Sequence, residues 1–328
     1  MTSSTKFKID TGTIQKLFDG AGIPGAGNIA PLTAGEFNSA FSVNAGGKGY
    51  VLKIAPDSNA RVLTYEKDMM RQELACYDLL REKTTIGLPE IYFRDLSKSI
   101  IPSEYFIMEK ITAPRLDTLK LTGDAAAEAL AKEAELLAKL HRIPGERFGY
   151  PQSGLYPTWY QAIRSIVQNL VADSKRFGKK CPFGEMLLTY IEQYQDILKK
   201  PKPRLINFDL WDLNLFYEKN DDGVRLILID PERCFWGDPA ADLVCLDFMH
   251  MELDEKTAAI TAYNRTAEFP FIVNRELKIR YAIMLGYLAV IMYTERYSRY
   301  KPLQKGYTRN TVFSAMLAKK SFDFLKGQ

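Results

Sequence analysis

Asn207-Phe208-Asp209-Leu210-Trp211-Asp212-Leu213-Asn214 is the stretch on which the reading of this chain turns. Two apolar runs follow it, Leu215-Phe216-Tyr217 and residues 224–229, separated by Lys219-Asn220-Asp221-Asp222-Gly223. Strand-forming runs on either side of such turn-prone residues form a hairpin. With the turn centred near Asp222, Asn214 and Asp230 face each other at the open end of the ribbon. An amide oxygen and a carboxylate there are hard ligands suited to Mg²⁺, which binds few protein groups and keeps several waters. Asp209, on the loop that enters the ribbon, is placed beside them to accept or orient a proton. Asp and Asn around a hairpin are often only turn and cap residues. Loop spacing, hairpin symmetry and a small sheet upstream together weigh against that plainer reading.

Outward from the hairpin, the pattern predicts a two-lobed α+β chain. A short helix near residues 14–18 closes at Gly20. Residues 36–55 read as a hairpin turning at Asn44-Ala45-Gly46-Gly47-Lys48-Gly49, with Tyr50, Leu52 and Ile54 alternating on the way out. A helix is expected over residues 64–81, from Met69, Met70, Leu74, Tyr77 and Leu80 at helical spacing. Strands at 90–93 and 105–109 complete a small antiparallel sheet with one main helix, residues 1–110. Residues 111–328 form the larger, mainly helical lobe, with helices at 125–141, 158–172, 183–199, 256–268 and 275–296.

Composition narrows the function classes. The 328 residues are 46% hydrophobic and 26% charged, enough for two moderate cores. A net charge of +4, scattered without a long single-sign run, gives no footprint for nucleic acid. The four cysteines are far apart, with no paired spacing, which fits reduced thiols in a cytoplasm better than disulfides or zinc. The opening MTSSTKFKID lacks an apolar signal core, and the longest apolar stretch, 281–293, is shorter than a bilayer span. A cytoplasmic protein without a membrane partner is expected.

The loop from Asp209 to Asn214 matches the D-L-x-x-x-N part of the protein-kinase catalytic loop without a gap. Phosphoryl transfer depends on positioning and charge stabilisation, which two metal ligands and a proton acceptor supply. Lys53, in Val51-Leu52-Lys53-Ile54, sits where a strand lysine would reach nucleotide phosphates; the plainer reading is an edge-strand lysine that blunts aggregation. Glu73 is its preferred helix partner and Glu66 the reserve. The glycine-rich signal is weak: residues 35–41 hold one glycine, so Asn38, Ser39 and backbone N–H groups would meet phosphate. Residues 105–111 would form the hinge at Met108, Glu109 and Ile111, where an adenine pairs with backbone; an ordinary buried strand is the alternative. Pro231-Glu232 follows Asp230, and Gly237-Asp238-Pro239 comes a few residues later, leaving little room for a peptide-gripping activation segment. A small hydroxyl-bearing acceptor is favoured. Acidic Asp247, Glu252, Asp254 and Glu255 could line an acceptor pocket, and Trp159, Tyr160, Tyr281, Tyr287, Tyr293, Tyr297 and Tyr300 could stack on a sugar or cage a cation, although a helical core explains them better. His141 and His250 are read as structural.

These segments together resemble the aminoglycoside phosphotransferase family, whose relatives include choline, fructosamine and methylthioribose kinases. The resemblance rests on Gly35-Glu36-Phe37-Asn38, Val51-Leu52-Lys53-Ile54, Ile107-Met108-Glu109, residues 137–141, Asp209-Leu210-Trp211 with Asn214, Ile229-Asp230-Pro231-Glu232, and residues 237–243. It implies a protein-kinase-like fold, ATP or GTP as donor, Asp209 as catalytic base, Asn214 and Asp230 on Mg²⁺, and Lys53 with Glu73 on the phosphates. The family pattern has His-Gly before the catalytic Asp, where this chain has Asn207-Phe208. That departure keeps a competing expectation open, an inactive nucleotide-binding regulator; a choline- or fructosamine-type metabolite kinase is a further alternative.

Overall fold

The computed structural model describes residues 5–33, 35–221 and 223–328. Asp222, the expected hairpin centre, lies outside the described residues, as do the first four. The chain forms two compact units that interleave along the sequence: Met1–Val62 with Pro89–Thr112 and Ser298–Gln304, and Leu63–Leu88 with Ala113–Tyr297 and Lys305–Gln328. The helix placed by chain order beside the small sheet thus groups by contacts with the helical unit.

In the smaller unit, helix α1 (Thr11–Gly20) starts at Asp10, whose carboxylate accepts the Thr13 N–H at 2.9 Å. Hydrogen bonds from Thr13 hold the Asp10 carboxyl below its ordinary value. Ile14, Leu17 and Phe18 share one helical face and bury against Val43, Leu52, Ile54 and Ile107. Those residues belong to a five-stranded sheet of β1 (Gly27–Leu32), β2 (Ser39–Ala45), β3 (Lys48–Ile54), β4 (Ile91–Asp95) and β5 (Tyr105–Glu109), ordered β1-β2-β3-β5-β4 with antiparallel neighbours. Gly46 and Gly47 join β2 to β3 at φ 56° and 79°, the double positive φ that a tight hairpin demands and side chains resist. Strand β1 was not evident from the sequence. It contains Pro31 and is mostly exposed, which an edge strand tolerates.

In the larger unit, a helix over 64–81 gives way to a short 3₁₀ turn, Thr64–Glu66, and helix α2 (Met69–Lys83), separated by Asp68 at φ 54°. Long-range contacts decide the break. Asp173 accepts the Thr64 N–H at 2.7 Å and its hydroxyl at 2.9 Å, and Glu66 accepts the Leu63 N–H at 2.7 Å. Then come α3 (Gly123–His141), α4 (Trp159–Arg176), α5 (Pro182–Gln193) and the single turn α6 (Gln195–Leu198). The one helix expected over 183–199 divides at Tyr194, whose hydroxyl donates to the Leu325 carbonyl at 2.9 Å.

Strand β6 (Arg204–Ile206) leads into the decisive loop, and β7 (Leu215–Asn220) and β8 (Gly223–Leu228) form the ribbon after it. The register pairs Leu215 with Leu228 and Asn220 with Gly223, and the Ile229 N–H donates to the Asn214 carbonyl at 2.9 Å. Asn214 therefore faces Ile229, one residue short of the expected Asp230. The pairing of Asn220 with Gly223 sets that register. Strand β9 (Phe235–Gly237) returns antiparallel to β6, and α7 (Thr257–Thr266), α8 (Arg275–Arg299) and α9 (Lys305–Lys326) complete the chain. By length and composition α8 would suffice to cross a membrane, but 78% of its most apolar window is buried. A helix apolar all round and covered by protein is a core helix.

Candidate active site

An aromatic layer supports the 207–214 loop. Phe208 is fully buried, its ring 5.1 Å from that of Tyr287 and 6.0 Å from that of Phe235, which stacks on Trp159 at 5.7 Å. Phe208 adopts φ 52°, a left-handed conformation that a bulky residue holds only under external constraint. Asp242 supplies it. Its fully buried carboxylate accepts the Asn207 N–H at 3.0 Å and the Phe208 N–H at 2.6 Å. His141 fixes the same carboxylate through Nε2 at 3.0 Å, with Nδ1 2.8 Å from the Tyr263 hydroxyl. The structural role expected for His141 thus acquires specific partners.

Asn207 occupies the position where the family pattern has His, at the start of the loop. Its side-chain oxygen accepts the Asp209 N–H at 2.9 Å, so the loop closes locally. The Asp209 carboxylate, with 17% of its side chain exposed, receives the Trp211 Nε1–H on Oδ1 at 2.9 Å and the Asn214 Nδ2–H on Oδ2 at 3.1 Å. Asn214 also donates to the Asp209 carbonyl at 2.8 Å. Arg233 Nε lies 3.6 Å from Asp209 Oδ1, and the same guanidinium pairs with Glu295 at 2.7 Å, whose carboxylate also accepts the Tyr65 hydroxyl at 2.8 Å. Burial raises the Asp209 carboxyl above its ordinary value, while the Arg233 cation and the Trp211 hydrogen bond restrain the rise. A buried, oriented aspartate whose carboxyl is raised is suited to accept a proton. Trp211 and Arg233 were not singled out from the sequence. Arg233 is three residues past Asp230, and only the fold brings it back to Asp209.

Asp230 takes φ 56° and donates its N–H to the Tyr77 hydroxyl at 3.1 Å. Among the described residues, carboxylate oxygens of Asp230, Glu73 and Glu232 lie within 4.8 Å of one another, an arrangement that hard divalent cations accept. Because the Asn214 amide nitrogen donates to Asp209, its oxygen is the atom left for a metal. Glu73 is completely buried on α2. The reserve residue Glu66 is engaged in its own turn.

The smaller unit places the remaining residues on strands. Lys53 is buried on β3, its ammonium 5.6 Å from the Phe106 ring centroid. Ser39 is buried with its hydroxyl donating to the Phe7 carbonyl at 3.0 Å, and buried Asn38 accepts the Lys6 ammonium on its carbonyl. Met108 is buried on β5, the Glu109 N–H donates to the Glu90 carbonyl at 2.8 Å, and Ile111 follows half-buried. The aromatic residues belong chiefly to packing. Trp159, Tyr281 and Tyr287 are buried, Tyr281 bonded to the Met251 carbonyl at 2.8 Å and Tyr287 to Tyr150 at 3.0 Å. Tyr293 and Tyr297 receive the chain's own Arg296, at 3.9 and 4.6 Å. Glu252 and Asp254 pair with Lys320 and Lys278.

A buried aspartate on a braced loop, with an acidic cluster at the end of a two-stranded ribbon, is carried here on a protein-kinase-like fold. A model of the APH phosphotransferase enzyme family matches residues 28–271, and the chain belongs to that family. It is a small-molecule kinase with a hydroxyl as acceptor. A protein of Pasteurella multocida (strain Pm70) named "probable ketoamine kinase" is 25% identical over 229 residues, 65% of this chain and 69% of that protein. The GDP complex of an aminoglycoside 2'-phosphotransferase IIIa mutant superposes with a TM-score of 0.66 at 17% identity, covering 95% of this chain and 97% of the other. A mutant of aminoglycoside phosphotransferase APH(4)-Ia with ADP and hygromycin B gives 0.60 at 16% identity, covering 96% and 98%. At these identities the likeness is one of fold.

Proposed function

We propose that this protein is a cytoplasmic, ATP- and Mg²⁺-dependent kinase that transfers the γ-phosphate to a hydroxyl of a ketoamine-type small molecule. The observation that carries the transfer chemistry is the holding of Asp209, its two carboxylate oxygens fixed by Trp211 and Asn214 and its charge faced by Arg233. Asp209 orients the acceptor hydroxyl and takes its proton as the oxygen bonds to the γ-phosphorus and the bond from that phosphorus to the bridging oxygen breaks, releasing ADP. Asp230 and the Asn214 oxygen are the proposed metal ligands, with Glu232 near enough to join them; the ion would neutralise charge on the phosphates. Lys53 and Glu73 are assigned to the phosphates, with Asn38 and Ser39 near them, and Met108, Glu109 and Ile111 to the adenine. The ketoamine acceptor is supported by the name of the Pasteurella relative, and a nucleotide donor by the GDP and ADP bound in the two structural neighbours. Four buried, free cysteines suit a reducing compartment.

The test is Mg²⁺-dependent turnover of ATP and GTP against ketosamines, amino sugars and choline. Phosphorylation of a ketosamine is expected, with kcat falling ~10²–10⁴-fold in Asp209→Asn, the range for a lost acid–base group. Asp230→Ala should lose metal-dependent nucleotide binding. Nucleotide-induced thermal stabilisation without turnover of any acceptor would overturn the kinase reading in favour of a regulator.

A further inference from the structure

Between β1 and β2 the chain bends through Gly35, Glu36, Phe37 and Asn38, which belong to neither strand, so their carbonyls need partners outside the sheet ladder. Two neighbouring side chains take up all four. Lys6 Nζ donates to the Gly35 carbonyl at 2.6 Å and also to that of Asn38. Thr5 Oγ1 donates to the Phe37 carbonyl at 3.0 Å and stands 3.1 Å from the Glu36 carbonyl, its one proton shared between them. Next along, the Ser39 hydroxyl donates to the Phe7 carbonyl at 3.0 Å. Thr5 is buried, and Phe7 and Ile9 pack against the core shared by α1 and the sheet. Residues 5–9 are thus a strap across the bend, anchored before α1 begins.

This strap fixes which way the N–H groups of the bend point. In a trans peptide the C=O and the following N–H lie on opposite sides of the chain, and the described residues contain no cis bond. Carbonyls turned toward Thr5 and Lys6 therefore turn the N–H groups of Glu36, Phe37 and Asn38 away from the strap. Successive N–H groups aimed to one side suit an anion. Glycine-rich loops reach such an arrangement through conformations open to residues without a side chain. Here the bend holds one glycine, and contacts from outside it impose the orientation of its peptides.

We propose, resting on the assignment of Asn38 and Ser39 to the phosphates made above, that Thr5 and Lys6 are positioning residues for the nucleotide. They hold the 35–38 bend in the shape that presents its N–H groups to phosphate, and touch no part of the ligand themselves. An ammonium, with three donors, can bridge two carbonyls, and a buried hydroxyl can serve the pair between them. A bend ordered in advance spares the nucleotide the entropy of ordering it on binding. The strap thus takes over what a run of glycines cannot do in this chain.

AMP-PNP, a non-hydrolysable ATP analogue, and adenosine are titrated calorimetrically with Mg²⁺ into the full chain, unaltered or carrying Lys6→Met or Thr5→Val. Amide hydrogen exchange is followed without ligand. In either variant, exchange at residues 36–38 should quicken by about tenfold or more while residues 48–54 keep the parent's rates. AMP-PNP should bind about tenfold more weakly, the worth of one hydrogen bond to a charged group, and adenosine, which has no phosphate, as tightly as before. Lys6→Arg and Thr5→Ser keep the donors and should restore most of the AMP-PNP affinity. Parental AMP-PNP affinity in both variants, an equal loss for adenosine, or unaltered exchange over 36–38 would overturn the proposal. Lys6 is half-buried, so Lys6→Met carries the test if Thr5→Val, at a buried site, fails to fold. The two readings fail differently. An unaltered chain that binds AMP-PNP no tighter than adenosine would remove the assignment of phosphates to this bend, and the strap's role with it; tight AMP-PNP binding that survives both substitutions would remove the strap's role alone.

Discussion

Asp242→Asn probes the support of the catalytic loop directly. In the native site one carboxylate takes both the Asn207 and Phe208 N–H groups and the His141 ring nitrogen, all out of water. Hydrogen bonds to a charged partner contribute ~1.5–3 kcal/mol each, and a buried donor left unmade costs ~1–3 kcal/mol. The isosteric amide keeps one accepting oxygen and turns an NH₂ toward the other donor. One backbone bond is then lost, so a destabilisation of ~2–4 kcal/mol is expected by urea denaturation. Phe208 at φ 52° would lose the contact that over-determines it, and the loop would relax toward an ordinary conformation. Asp209 follows immediately, so kcat should fall by ~10²-fold while nucleotide affinity changes little, the pattern of lost positioning. His141→Leu should show a smaller effect in the Asp242→Asn background than alone, a coupling of ~1 kcal/mol or more. A stability change below ~0.5 kcal/mol with unaltered kcat would show that Asp242 does not brace the loop.

Two further outcomes follow from the perturbed carboxyls. In Arg233→Gln with Glu295→Gln, the cation that most restrains Asp209 is gone while the buried partner is not left charged, so the Asp209 carboxyl should rise further and the acid limb of kcat/KM should move to higher pH; a limb that stays or moves lower would refute the assigned role of Arg233. Glu133 titrates higher in the folded chain, near 8, than its ordinary 4.5, so its contribution to stability is complete below pH 4.5 and is lost as pH rises through 8. Glu133→Gln should therefore flatten the stability profile and leave the variant more stable than the parent at pH 9 by a few kcal/mol, read from denaturation midpoints across pH.

Much of the fold could be read because it follows from local periodicity. The face of Ile14, Leu17 and Phe18 and the alternation through Leu52 and Ile54 occur where expected. Long-range contacts produced the departures. Asp173 holds Thr64 in a turn that helical spacing alone could not reveal, and Tyr194 breaks a helix to reach Leu325. Strand β1, with its proline and exposed side chains, carries no alternation because an edge strand buries little.

For the site, the order of residues from Asp209 to Asp230 was enough to indicate phosphoryl-transfer chemistry, since that chemistry needs a few oxygen ligands and a proton acceptor at fixed spacing. The surroundings of Asp209 came from distant parts of the chain. Arg233, Glu295, Tyr65, Asp242 and His141 span residues 65 to 295 and meet only when the helical unit closes on its aromatic core. The amino-acid sequence alone indicated the candidate groups and the loop that presents them. Tertiary structure decided which of those groups touch, how far burial shifts their protonation, and that Thr5 and Lys6 reach the 35–38 bend. Distance and desolvation are properties of the packed chain, and neither is encoded in residue spacing.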